Sequence, residues 1–336
     1  MIARDLVLES LAHRRPPVLP FQLDLTDDTR NRLARHFKDE AFEDRIANSL
    51  AQERNELLSV LDEKHIQDMF GVVWTREQKG DFGVVQEYIL KEAGFGDYRF
   101  PEPDEASIRE KCARLATRRS GQFTMYIIGF SLFERAWSLR GMEDVLVDFI
   151  LNPGFADELL DRIVDYNLKV VDIVAEYPID CVFFGDDWGQ QKGLIMGPDH
   201  WRRFIKPRIE KMYAYVKSKG MLVAQHSCGD VSEIFGDIVD AGMDIYNTFQ
   251  PEVYDGALMK RLHGDRVTFY GGISTQRLLP YGSPDEVKAE TRRLMDVLGV
   301  DGGYIVAPTH AIPDDTPIEN ILAFLDVVSN QEALVR

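Results

Sequence analysis

The sequence His226-Ser-Cys228-Gly229 stands at the end of an apolar run, residues 221–226, and is followed by Asp230-Val-Ser, which can begin a helix. A His and a Cys two positions apart across a strand end can both turn toward one point. Imidazole nitrogen with thiolate sulfur is a ligand set that suits Zn²⁺, and catalytic zinc takes typically three protein ligands with the fourth position open. The third candidate is His310, in Val306-Ala-Pro-Thr-His310-Ala-Ile-Pro, directly past the last apolar run. The bland alternative is that Cys228 is a small buried hydrophobe and His226 bonds its own loop.

A second constellation is Gly185-Asp186-Asp187-Trp188-Gly189-Gln190, again at the end of an apolar run. Adjacent carboxylates on an extended chain point in different directions, so the two aspartates are expected to have separate roles. One would give an oxygen to a metal or hold a substrate proton, and the other would cap the following segment. Gly271-Gly272-Ile-Ser274-Thr275 offers close backbone approach and hydroxyls, but it matches neither GxGxxG nor GxxxxGK[ST]. Phe130-Ser-Leu-Phe-Glu134-Arg135-Ala-Trp137 brings an acid, a base and aromatics, with solvated charges and core rings as the competing reading. Asn247, Gln250 and Tyr304 are further polar candidates on or after strands. There is no GxSxG, and of the seven histidines His13, His36, His65 and His263 read as surface residues, which disfavours a Ser-His-Asp hydrolase.

These residues need a scaffold that brings strand ends together. Short β-rich runs at 180–185, 221–226, 244–248, 267–271 and 303–307, bounded by Gly, Asp, Asn or Pro, alternate with long amphipathic segments at 153–176, 198–219, 283–298 and 317–329. Prolines open these helices, Gly220 closes one and Ser283 caps another. Runs at 18–25 and 123–128 make seven strand candidates, with one strand left unplaced. The rhythm predicts an α/β fold, a (β/α)8 TIM-type barrel, whose strand C-termini would carry the site. Residues 29–110 read as an elaboration packed on that barrel within one domain spanning 1–336. It comprises helices at 29–47 and 52–67 and a hairpin of Gly71-Val-Val-Trp74 with Phe82-Gly-Val-Val85.

The chain has 336 residues, 45% hydrophobic and 28% charged, with 39 basic against 56 acidic side chains and a net charge of −17. That acidity argues against nucleic acid and against anionic membrane surfaces, since the densest basic clusters are the pairs Arg14-Arg15, Arg202-Arg203 and Arg292-Arg293. No run reaches the length of a membrane span, the N-terminus has no signal-peptide pattern, and three cysteines do not make a disulfide framework. The expected setting is cytoplasmic.

The segment Gly302-Gly303-Tyr-Ile-Val-Ala-Pro-Thr-His310-Ala-Ile-Pro-Asp-Asp-Thr316-Pro317-Ile-Glu319-Asn320 resembles the C-terminal signature of the uroporphyrinogen decarboxylase superfamily. The opening from His13 to Phe21, the 185–189 loop and residues 271–275 are similar as well. That superfamily includes porphyrinogen decarboxylases and zinc-dependent methyltransferases that work with corrinoid proteins. The decarboxylases' Arg-Gln-Ala-Gly-Arg segment is missing here, and Pro20-Phe-Gln-Leu-Asp24 is acidic where a polyanionic tetrapyrrole would want arginines. The methyltransferase branch uses a His-x-Cys pair plus one late ligand, which implies His226, Cys228 and His310 as zinc ligands. In thiol-activating members the late ligand is a cysteine. A histidine there makes zinc the stronger Lewis acid, so the resemblance implies demethylation of a small methylated donor, such as a methyl ether, with transfer to cobalt.

Asp186 or Asp187 would then complete the coordination or orient the leaving oxygen, while Phe130, Trp188 and Tyr304 would line a donor pocket, with Asn247 as a further contact. The corrinoid would sit on a separate protein, because no Asp-x-His-x-x-Gly motif is present. A homo-oligomer is compatible with this reading. The alternatives are a cofactor-free decarboxylase acting on a smaller acid and a non-catalytic ligand-binding barrel.

Overall fold

Strand and helix alternate because largely apolar runs such as Phe123–Ile128 and Tyr304–Pro308 are buried on both faces, as parallel strands require, while each intervening helix buries one stripe. The computed structural model describes residues 1–56, 58–76 and 83–331. The chain divides into two discontinuous units. One comprises Met1–Ala51, Arg118–Thr124 and Met243–Arg336, and the other Gln52–Thr117 and Met125–Gly242.

In the unit containing residues 125–242, Met125 to Ile128 pair in parallel with Cys181–Gly185, which pairs in turn with Leu222–His226, setting His226 opposite Gly185. The crossover after the first of these strands runs through helices Phe133–Arg140, Met142–Leu151 and Pro153–Val174, the last buried at Leu159, Leu160, Ile163, Val164, Val170 and Val171. The second crossover is Pro198–His200, a π-helical turn at Trp201–Ile205 and Lys206–Ser218. The same unit holds a four-stranded antiparallel sheet of Leu58–Val60, His65–Asp68, Val73–Thr75 and Val84–Glu87. The expected hairpin is thus one edge of a larger sheet; Phe82, assigned to it from sequence, lies outside the described residues.

In the other unit Ile245–Phe249, Thr268–Ile273 and Tyr304–Pro308 are parallel neighbours. The run at 18–25 joins them through two isolated parallel bridges, Phe21 with Val306 and Leu25 with Ile312. Helix Pro284–Leu298 starts with a full capping box, in which Ser283 and Glu286 satisfy each other's backbone N–H groups. Helix Ala3–Leu11 is tied to a strand by Ser10, whose hydroxyl donates to the Tyr304 carbonyl and accepts from its N–H, both at 3.0 Å.

The mostly parallel seven-stranded sheet and its flanking helices make this a TIM-type α/β fold, as the rhythm predicts. One expectation fails. Among the described residues of the stretch 52–67 there is no helix; Leu50–Arg54 is a strand, with Phe123 N–H donating to the Ser49 carbonyl at 3.0 Å and Asn55 N–H to that of Ile127 at 2.7 Å. It supplies the strand that the sequence left unplaced. The expected helix at 29–47 is Asp27–Phe37, capped by Thr26, followed by a short 3₁₀ turn at Phe42–Arg45. Among the described residues no helix is long and apolar enough to cross a membrane.

Candidate metal centre and its surroundings

His226 ends its strand half-buried, with its Nε2 3.4 Å from the Cys228 sulfur, so the two donors expected to share a point do so. Their loop is shaped by backbone packing. A Cβ on Gly189 would lie 2.7 Å from the Cys228 carbonyl oxygen and from the Asp230 nitrogen, and Gly229, at φ +75°, faces the Gly189 backbone without room for a side chain. The Asp230 N–H donates to the Gln190 carbonyl at 2.8 Å, and the Trp188 N–H to the buried Ser227 hydroxyl at 3.0 Å. The loops after two adjacent strands are thereby locked together.

The adjacent aspartates separate into two tasks. Asp186 is fully buried, and its carboxylate accepts from the backbone N–H groups of Leu132 at 3.3 Å, Phe133 at 2.9 Å and Glu134 at 2.7 Å and from the Trp188 indole at 2.5 Å. It anchors the start of helix Phe133–Arg140 across the sheet. Asp187 turns the other way. Its Oδ1 accepts from the Cys228 N–H at 2.7 Å and lies 3.5 Å from His226 Nε2.

Glu134 joins this group: burial, then Asp187 and Asp186, raise its carboxyl well above the usual range. Burial, with Asp187 and Glu134 nearby, likewise pushes the Cys228 thiol up. A half-buried sulfur and imidazole among carboxylates is a set of soft and hard donors whose negative charge a divalent cation would offset, so these residues fit zinc.

In the other unit His310 follows strand Tyr304–Pro308 and is exposed, with its Nδ1 against the Thr309 carbonyl. The turn before it is fixed by Thr309, whose N–H donates to the Ile273 carbonyl at 2.8 Å and whose hydroxyl is 2.8 Å from that of Thr275.

The aromatic candidates fare differently. Trp188 and Tyr304, expected to line a pocket, are fully enclosed: the Trp188 indole is spent on Asp186, and the Tyr304 hydroxyl donates to the Gly271 carbonyl at 2.9 Å. Asn247 is buried and donates to the Tyr270 carbonyl at 3.2 Å. Phe130 keeps a partly exposed ring, at φ +50°, against Trp74 and Trp137 with centroids 5.4 and 5.8 Å away. Arg135 is not a solvated charge. It is 4% exposed and bonded to Asp68 at 2.5 Å, a pairing that no local sequence signal announces because its partner is 67 residues away.

Residues 66–331 match the uroporphyrinogen decarboxylase (URO-D) family profile. A methylcobamide:CoM methyltransferase of Methanosarcina barkeri is 34% identical over 170 residues, which is 50% of this chain and 47% of the relative. A methylated-thiol–coenzyme M methyltransferase of Methanosarcina mazei is 21% identical over 211 residues, 63% of this chain and 54% of the relative. The chain thus spans about half the length of the curated relatives it matches. A solved methyltransferase from Methanosarcina mazei shares the fold, with a TM-score of 0.74 and 17% identity over 98% of this chain and 99% of that one. The profile match extends through the aspartate pair, the His-x-Cys loop and the late histidine alike, and the chain belongs to the uroporphyrinogen decarboxylase family.

Proposed function

We propose that this protein is a zinc-dependent methyltransferase that moves a methyl group from a small methylated donor, such as a methyl ether, to the cobalt of a corrinoid held by a partner protein. The observation that carries the reading is the 3.4 Å approach of His226 Nε2 and Cys228 Sγ at a strand end, beside Asp187. Two relatives named as methyltransferases of methylcobamide or of methylated thiols support it.

His226, Cys228 and His310 are the residues that would hold zinc. Bound there, zinc would act as a Lewis acid on the donor's heteroatom. The chain's own residues do the positioning. Asp187 fixes the Cys228 backbone and keeps an exposed edge toward the site, placing it to orient the leaving oxygen. Asp186 holds the start of helix Phe133–Arg140, and so sets where Glu134 stands. Phe130 offers an apolar face to the donor. The net charge of −17 favours a corrinoid protein with a basic docking patch.

The test is metal content by plasma mass spectrometry on anaerobically purified protein, beside His226→Ala, Cys228→Ser and His310→Ala. Near-stoichiometric zinc, lost in all three variants, with methylcobalamin formed from cobalt(I) cobalamin and a methyl-ether donor, is the expected result. Wild-type protein that binds no zinc when supplied with it would refute the reading.

A further inference from the structure

Away from the metal-binding candidates, the unit containing residues 243–336 has a cavity of about 640 Å³ lined by His13, Lys260, Arg261, Asp265 and Asp301. Lys260 enters it half-buried, donating to the Gly302 carbonyl at 2.7 Å and toward that of Gly264 at 3.5 Å. In its neutral form the amine has two N–H donors and one lone pair, so donation to these two carbonyls would leave the lone pair over.

His13 sits beside it in a left-handed conformation, φ +51°. Its Nδ1 is buried with no hydrogen-bond partner among the described residues, and the Gly264 carbonyl lies close to the same spot. Both nitrogens approach one point, the Cβ that Gly303 lacks: His13 Nδ1 at 3.0 Å and Lys260 Nζ at 3.1 Å. Arg261 is exposed at the cavity edge and makes no ion pair among the described residues.

We propose that Lys260 is a covalent acylation site for acyl phosphates, with His13 as proton acceptor and Arg261 as the anchor for the phosphoryl group. The amine attacks the acyl carbonyl carbon, a C–N bond forms, the C–O bond to phosphate breaks, inorganic phosphate leaves, and the nitrogen's proton passes to His13 Nδ1. Burial holds the Lys260 amine below the ordinary lysine range against the pull of Asp301 and Asp265, which enlarges the share of neutral amine, and burial followed by Lys260 keeps His13 low.

The experiment incubates the full chain with acetyl phosphate and follows each lysine by peptide mass spectrometry, with the exposed Lys64 and Lys192 as internal standards. Lys260 should acetylate several-fold faster than both, and His13→Asn, which tolerates the left-handed backbone, should slow it about ten-fold or more. Arg261→Gln should slow labelling by acetyl phosphate but not by N-hydroxysuccinimidyl acetate, which has no phosphoryl group. Lys260 labelling no faster than the standards, or unchanged in His13→Asn, overturns the site. Equal loss with both reagents in Arg261→Gln overturns the anchor. Melting curves of each variant check the fold; if His13→Asn melts early, the wild-type rate comparison and the Arg261→Gln pair still decide.

Discussion

Replacing either partner of the buried Asp68–Arg135 pair should be costly, but not equally so. Asp68 accepts from the backbone N–H of Phe70 at 2.9 Å and of Val72 at 3.1 Å, from the Trp74 indole at 3.2 Å, and from Arg135 at 2.5 Å. Arg135 has fewer resources. It bonds Asp68 and Ser138, stacks on Phe70 at 4.2 Å, and its buried Nε has no partner among the described residues. Arg135→Met leaves a carboxylate with three donors and keeps an apolar stem on Phe70, at a cost of about 1–2 kcal/mol. Asp68→Ala leaves a guanidinium without its counter-charge at 4% exposure and strips acceptors from three more donors, so about 4–5 kcal/mol is expected. The assay is urea unfolding of both single variants and the double variant, with proteolysis of the 58–87 sheet as a local readout. In the double variant the loss should fall below that of Asp68→Ala alone. If Arg135→Met costs as much as Asp68→Ala, the reasoning from donor and acceptor satisfaction is wrong.

Asp186→Ala should cost about 3 kcal/mol by orphaning three backbone donors and the Trp188 indole, and should loosen the start of helix Phe133–Arg140, read as faster amide exchange at Leu132 to Glu134. Gly229→Ala, forced into φ +75° against the Gly189 backbone, should lose about 2 kcal/mol and reduce zinc retention while His226 and Cys228 remain; full zinc content would show that the loop does not set the donors. Arg203, then Arg208, hold the Asp157 carboxyl below its usual value of 3.8 despite opposing burial. Its stabilisation is therefore present above that value and lost as pH falls through the lowered one. The melting temperatures of wild type and Asp157→Asn should differ at pH 6, converge at strongly acid pH, and differ less in high salt.

Much of the fold was legible because its signals are local. Ser283-Pro-Asp-Glu286 spells a capping box, and the apolar runs ending at Ile128, Gly185 and His226 have no other use than buried parallel strands. The misread stretch, 52–67, is rich in Glu, Leu and Gln, which favour helix in isolation. Its strands exist because of their partners: Leu50–Arg54 lies against residues near 123–128, far along the chain, and Leu58–Val60 turns back on His65–Asp68, which is held from its other side by Val73–Thr75. Pairing of that kind overrides intrinsic propensity and leaves no trace in a single helical window. The enclosure of Trp188 and Tyr304 was illegible for a related reason. Position at a strand end says that a side chain is near the site, not which way it turns.

The two adjacent aspartates show how much work that turning does. One residue of extended chain reverses the side chain's direction, so Asp186 faces inward to four donors while Asp187 faces the His226–Cys228 loop. An inward carboxylate saturated by N–H groups cannot also bind a substrate or a metal, and an outward one with a free edge is poorly placed to anchor a helix. Exchanging the roles by substitution therefore separates structure from chemistry. Asp187→Asn retains an acceptor for the Cys228 N–H and removes only the charge, so stability should hold within about 0.5 kcal/mol while zinc content or methyl transfer falls. Asp186→Asn places an amide where every partner is a donor, so stability should fall first and activity only with it. If instead Asp187→Asn unfolds the protein while Asp186→Asn folds normally and is inactive, the division of labour between the two is the reverse of the one argued from their hydrogen bonds.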